Sequence, residues 1–70
     1  MIIIVNGSET HVVDGTGISD LIESLKLNPE RLAVELNKRI IRRANWDSTS
    51  FSEGDRVEIV QFVGGGAGSQ

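Results

Sequence analysis

The stretch that most restricts this chain is Ile18 to Leu25. Ile18, Leu21, Ile22 and Leu25 fall at i, i+3, i+4 and i+7, a single apolar stripe at helical spacing. Thr16 stands where an N-cap hydroxyl would accept from the first-turn amides. Asp20 and Glu23 sit early and Lys26 late, the arrangement the helix dipole favours. Asn28-Pro29 is expected to end the helix, because a residue before proline avoids the α region. A lone helix of this kind, set among β-forming segments, has to cover one face of a sheet. That gives a two-layer α+β domain.

The flanking segments supply the strands. Ile2 to Val5 is β-branched throughout, and Asn6-Gly7 after it is the dipeptide best suited to a tight hairpin turn, since both residues tolerate φ > 0. Glu9 to Val13 reads as the return strand. Beyond the helix, Leu32 to Leu36 reads as a third strand, Asn37-Lys38 as a turn and Arg39 to Arg42 as a short fourth strand. Ala44 to Ser50 is polar and loop-like around Trp46, with room for a 3₁₀ turn. Glu53-Gly54-Asp55 is a further turn, and Arg56 to Val63 is the last and longest strand. The order β-β-α-β-β-β opens with an antiparallel hairpin. The helix then provides the crossover a parallel neighbour requires. A mixed sheet of four or five strands results.

Composition removes several kinds of function. The chain has 70 residues, enough for one small domain, and no cysteine. Disulfides, thiolate metal sites and a cysteine nucleophile are therefore excluded. A net charge of −3 argues against non-specific nucleic-acid binding. With only Trp46, Phe51 and Phe62 there is no stacking platform for bases. The apolar start Met1 to Val5 is too short for a signal peptide core or a membrane span. The expectation is a soluble, cytoplasmic protein. The basic group Arg39, Arg42 and Arg43 is either the solvated end of a strand or a partner-docking patch.

No catalytic constellation emerges. His11 has no partner for nucleophilic chemistry and reads as a surface histidine. Asp14, Asp20, Glu23, Asp47, Glu53 and Asp55 sit mostly at turns and at the helix start, where capping accounts for them. Nothing is spaced as a metal site. Gly64-Gly65-Gly66 is not a phosphate cradle, because no helix and no lysine come after it.

The last strand and the glycines beyond it remain as the candidate site. Side chains alternate faces along a strand. Val57 and Ile59 should face the helix, leaving Glu58, Val60 and Phe62 on the outer face. Val60 and Phe62, sizeable apolar side chains just before a glycine run, form with Glu58 a candidate docking surface. The alternatives are ordinary exposed hydrophobics or a lateral contact with Trp46. Glycines lack Cβ, so Gly64 to Gly66 would pass a channel too narrow for other residues. A carboxylate at such an end is ionised at neutral pH and, once activated as an acyl-adenylate, leaves its carbon open to attack. The bland alternative is a linker.

Ile3-Ile4-Val5-Asn6-Gly7, Ala33-Val34-Glu35-Leu36-Asn37, Ile40-Ile41, Arg43 and Trp46, with Gly54 to Val60 and Phe62 to Gly66, form a familiar set. In these residues the chain resembles the ThiS family, the sulfur carriers of thiamine biosynthesis, with a ubiquitin-like β-grasp fold. The resemblance implies a β-grasp domain over residues 1–63 and a flexible glycine-rich tail over 64–70. It implies that an E1-like adenylyltransferase (ThiF-like) uses ATP and Mg²⁺ to adenylate Gly66. A cysteine desulfurase or other sulfur donor then gives a thiocarboxylate, and thiazole synthase (ThiG-like) receives the sulfur. On this view Gly64 and Gly65 thread the partner, Val60 and Phe62 match the region that packs on partners, and the carrier binds no cofactor of its own.

One departure stands out. Family members end at the glycine pair, whereas here Ala67-Gly68-Ser69-Gln70 comes after it and turns the Gly66 carboxyl into an amide. Three accounts are open. A processing protease removes the four residues; or they are a cloning remnant or the start of a fused second domain; or the chain is a ubiquitin-like interaction module that is never charged. A carrier for another pathway, such as molybdopterin or cysteine, shares the glycine end and is the nearest competing function.

Overall fold

In the computed structural model, which describes residues 1–62, both expected hairpin turns form around an asparagine. Asn6 and Gly7 adopt φ of 49° and 84°, and Asn37 and Lys38 adopt 52° and 72°. Two consecutive left-handed residues give the turn whose twist matches that of the paired strands. The first joins β1, Ile2–Val5, to β2, Ser8–His11; the second joins β3, Leu32–Leu36, to β4, Arg39–Ile40. The helix α1, Ile18–Ser24, lies between these hairpins in sequence, and β5, Arg56–Gln61, comes after them. The five strands form one mixed sheet in the order β2-β1-β5-β3-β4. Only β1 and β5 run parallel among the named pairs; β1–β2, β3–β4 and β3–β5 are antiparallel. This is the β-grasp architecture, with β5 in the middle of the sheet.

The core lies between α1 and the inner face of the sheet. Ile18, Leu21 and Ile22 of α1 are buried with Ile3, Leu32, Val34 and Val57 from the strands. Burying one such side chain is worth about 1.5–3 kcal/mol, so this layer dominates the stability. The alternation along β5 is as its sequence indicates. Val57 is buried and Ile59 half-buried, while Arg56, Glu58 and Val60 are exposed. Among the described residues no helix is long and apolar enough to cross a membrane.

Several local expectations are corrected. The N-cap of α1 is Gly17, not Thr16. The Thr16 hydroxyl donates instead to the Val13 carbonyl at 2.6 Å. The cap position has to be glycine because a Cβ there would lie 2.7 Å from the Thr49 carbonyl oxygen. That carbonyl accepts the Ile18 N–H at 3.0 Å, and Thr16 O accepts the Phe51 N–H at 2.9 Å, so the segment 49–51 runs tight against the helix start. Asp20 Oδ2 accepts the Gly17 N–H at 2.9 Å.

The helix also stops earlier than Asn28-Pro29. Leu25 is its C-cap and Lys26 turns left-handed at φ 57°, which leaves Leu25 45% exposed outside the apolar stripe. Asn28 and Pro29 start a 3₁₀ turn instead, Pro29–Arg31, with Asn28 Oδ1 accepting the Glu30 N–H. β2 ends at His11 rather than Val13, and Val13 is exposed. β4 is only two residues long, because Arg42 caps a second 3₁₀ turn, Arg43–Asn45. β5 ends at Gln61. Trp46, read from sequence as part of a polar loop, is 4% exposed and belongs to the core, its Nε1–H donating to the Ile41 carbonyl at 2.9 Å. It is thereby buried on the side of the sheet opposite to the face on which Val60 stands. Val63, Gly64, Gly65, Gly66 and residues 67–70, with the domain boundary before Gly64, lie outside the described residues.

Candidate functional site: the outer face of β5

The outer face of the sheet is assembled from cross-strand pairs. On β5 and β3, Glu58 stands opposite Glu35 and Val60 opposite Ala33; on β4, Ile40 stands opposite Glu35. Paired residues share a face, so Ile40, Glu35, Glu58, Ala33 and Val60 all look away from the helix. Phe62 continues on the same parity, its N–H donating to the Arg31 carbonyl at 2.7 Å. Ile40 is 75%, Val60 53% and Phe62 56% exposed. Three large apolar side chains thus stand in solvent on one side of a small sheet. Their exposure and their common face agree with the sequence reading of Val60 and Phe62; Ile40 joins them because β3 and β4 pair in this register.

Charge surrounds this patch. Glu35, Lys38, Arg56, Glu58 and Val60 line an open depression on the same face. Glu35 and Glu58 face each other directly, a like-charge pairing that costs a sheet free energy unless something compensates. Among the described residues the one ion pair is between the Met1 ammonium and Asp14, at 3.5 Å, so neither glutamate is engaged in one. Arg39, Arg42 and Arg43 are all exposed at the β4 end of the sheet, beside this face.

Of the other residues singled out from sequence, Asp20, Asp55, Glu53 and Asp47 hold local structure. Asp20 holds the helix start through the Gly17 N–H. Asp55 accepts from the Ser52 N–H at 2.8 Å and from Asn37 Nδ2 at 3.0 Å. Glu53 Oε1 accepts the Ile2 N–H at 2.8 Å, and Asp47 accepts the Ser19 hydroxyl. His11 is exposed on β2. Among the described residues no three His, Cys, Asp or Glu side chains are grouped to hold a metal ion. Sequence reasoning missed the two turn asparagines, whose side chains both reach across to β5. Their only sequence signal is a turn.

Comparison with known proteins decides the family. The ThiS family model matches residues 3–66. The chain belongs to the ThiS family. It is 39% identical to the sulfur carrier protein ThiS of Bacillus subtilis over 62 residues, 87% of this chain and 94% of that protein. The crystal structure of the thiamine biosynthesis protein ThiS from Geobacter metallireducens superposes with a TM-score of 0.81 at 35% identity, covering 94% of this chain and 100% of that one. A third relative is of a different size. A thiazole synthase of Magnetococcus marinus is 36% identical over 61 residues, 87% of this chain but 19% of that protein. The ThiS-family chain thus spans about a fifth of the length of the thiazole synthase it matches.

Proposed function

We propose that this ThiS-family chain is a sulfur carrier of thiamine biosynthesis, a protein cosubstrate worked on by partner enzymes and not itself a catalyst. The observation that carries the reading is where the family match stops: it runs from residue 3 to residue 66, so its last position is Gly66. Gly66 is the acceptor of the sulfur, and Ala67 to Gln70 lie beyond the family pattern. Once the Gly66–Ala67 peptide bond is hydrolysed and residues 67–70 leave, the freed Gly66 carboxylate attacks the α-phosphorus of ATP on an E1-like adenylyltransferase. The bond to the β-phosphate breaks and pyrophosphate leaves. Sulfide then attacks the acyl carbon and expels AMP, leaving a thiocarboxylate; where a desulfurase persulfide attacks instead, AMP leaves from an acyl disulfide, and a thiol must reduce its S–S bond to free the thiocarboxylate. Glycine suits this step because the acyl carbon has no side chain beside it.

The partner that takes the sulfur is thiazole synthase. The support is covalent: in Magnetococcus marinus a stretch similar to this chain is part of a protein named thiazole synthase. The docking surface is Val60, Phe62 and Glu58, with Ile40 beside them. A non-polar patch ringed by charge is a usual composition for a specific protein contact.

Charging tests this. The chain ending at Gly66 is incubated with a ThiS adenylyltransferase, Mg-ATP and sulfide, and its intact mass is read. The shortened chain keeps all of the described residues, 1–62. The mass should rise by the difference between one sulfur and one oxygen. The 70-residue chain should stay unchanged until cut after Gly66. No gain in the shortened chain refutes the carrier reading; a gain in the intact chain refutes the account of residues 67–70.

A further inference from the structure

The parallel ladder between β1 and β5 is short. Its bonds advance two residues on each strand: Ile4 N–H to Asp55 O at 2.8 Å, then Asn6 N–H to Val57 O at 2.9 Å. The next step would bring the N–H of residue 8 to Ile59 O, and would pair the Ile59 N–H with the residue 6 carbonyl. The chain cannot make it, because it turns at Asn6-Gly7 into β2. The Asn6 side chain makes it instead. Asn6 Oδ1 accepts the Ile59 N–H at 2.7 Å, and Asn6 Nδ2 donates to Ile59 O at 3.2 Å. One side-chain amide replaces two peptide groups, and β5 stays gripped on its β1 side for two residues more than β1 itself reaches.

A second asparagine does related work elsewhere. Asn37, at the matching position of the other hairpin turn, accepts the Arg56 N–H on Oδ1 at 3.0 Å. Asn37 therefore holds the start of β5, and Asn6 holds the end from which the glycine segment departs. After Ile59 only Val60 to Val63 separate the grip from Gly64.

The geometry points to Asn6 as a positioning residue for the carrier reaction: by holding both backbone groups of Ile59 it fixes the root from which Gly66 is presented to the adenylating partner. The inference rests on the proposed carrier function. Among the described residues the Asn6 side chain bonds to the Ile59 backbone and not to Val60 or Phe62. It acts through β5. Orientation of a reacting group contributes to rate only while the group's base is held.

The test compares Asn6→Gly with Asn37→Gly. Glycine keeps the left-handed turn at either site and removes the side-chain bonds. Asn6→Asp is the second variant, keeping the acceptor for the Ile59 N–H and losing the donor. In the 70-residue chain, amide exchange is monitored at Phe62, whose own acceptor is Arg31 on the far side of β5. In the chain ending at Gly66, adenylation is measured by ATP–pyrophosphate exchange. Asn6→Gly should speed Phe62 exchange and lower kcat, each by about three- to tenfold, with KM within about twofold of wild type. Asn6→Asp should fall between it and wild type. Asn37→Gly should lose a similar amount of thermal stability with wild-type Phe62 exchange and wild-type kcat. Wild-type kcat in Asn6→Gly, or an equal fall in Asn37→Gly, overturns the proposal. A wild-type chain that is never adenylated overturns the carrier reading instead, and the exchange data then still report whether Asn6 holds the root of β5.

Discussion

Replacing Gly17 by alanine separates two effects that are usually mixed. The φ of Gly17 is −116°, which any residue adopts, so no backbone strain is introduced. The new Cβ, however, would sit 2.7 Å from the Thr49 carbonyl oxygen. Real contacts of this kind are several tenths of an ångström longer, and the obstacle is backbone, tied to Ile18 N–H by a 3.0 Å hydrogen bond. Helix start and segment 49–51 must part. Overpacking of this sort costs about 1–3 kcal/mol. Against it stands the gain from a less flexible unfolded chain, about 0.4–1 kcal/mol. A net loss of about 1–2 kcal/mol remains. A domain of this size has about 4–10 kcal/mol in all, from roughly 0.05–0.15 per residue. The midpoint of thermal unfolding should fall by about 5–15 °C, since each kcal/mol shifts a small domain by about 4–8 °C. Trp46 is the sole tryptophan and is buried, so its fluorescence reports the transition without a label. A variant as stable as wild type, or more so, would show that the helix start is not pressed against Thr49 and that Gly17 is there for another reason.

The core and the outer face each give a further prediction. Trp46→Phe keeps most of the ring but leaves the Ile41 carbonyl without its donor; urea unfolding monitored by circular dichroism should show a loss of about 1–3 kcal/mol, and a neutral result would mean that solvent satisfies that carbonyl. Val60→Thr with Phe62→Ala removes apolar surface from side chains that are already half exposed. Stability should change by no more than about 0.5 kcal/mol per site, while KM for adenylation should rise about tenfold, equal to about 1.4 kcal/mol of docking. An unchanged KM would place the docking surface elsewhere.

What was legible in the sequence depended on period. The α1 stripe and the alternation in β5 are repeated signals, and both placed Ile18, Leu21, Ile22, Val57 and Val60 on the faces they occupy. Asn6-Gly7, and Asn37 in the second turn, were legible because asparagine and glycine are among the few residue types that take left-handed φ readily. Illegible features were those settled by distant contacts. Thr16 is the better cap by propensity, yet Thr49 leaves room only for glycine at the position that caps. Lys26 ends α1 in a left-handed conformation for which its side chain gives no cue. Trp46 sits among polar residues with no periodic partner and is nonetheless drawn into the core. The candidate site divides the same way. Val60 and Phe62 could be placed by alternation, whereas Ile40 beside them, and Asn6 at the root of β5, depend on which strands become neighbours.

The strand order has a consequence for what a partner can recognise. The two hairpins, β1–β2 and β3–β4, are local structures, and in the sheet they are joined only through β5, which pairs with β1 on one side and β3 on the other. The strand that leads to the glycines is thus the latch that closes the whole domain. A chain with either hairpin misformed lacks one of the two edges against which β5 seats. A partner that docks on β5 would therefore meet, at one strand, the pairing of both hairpins.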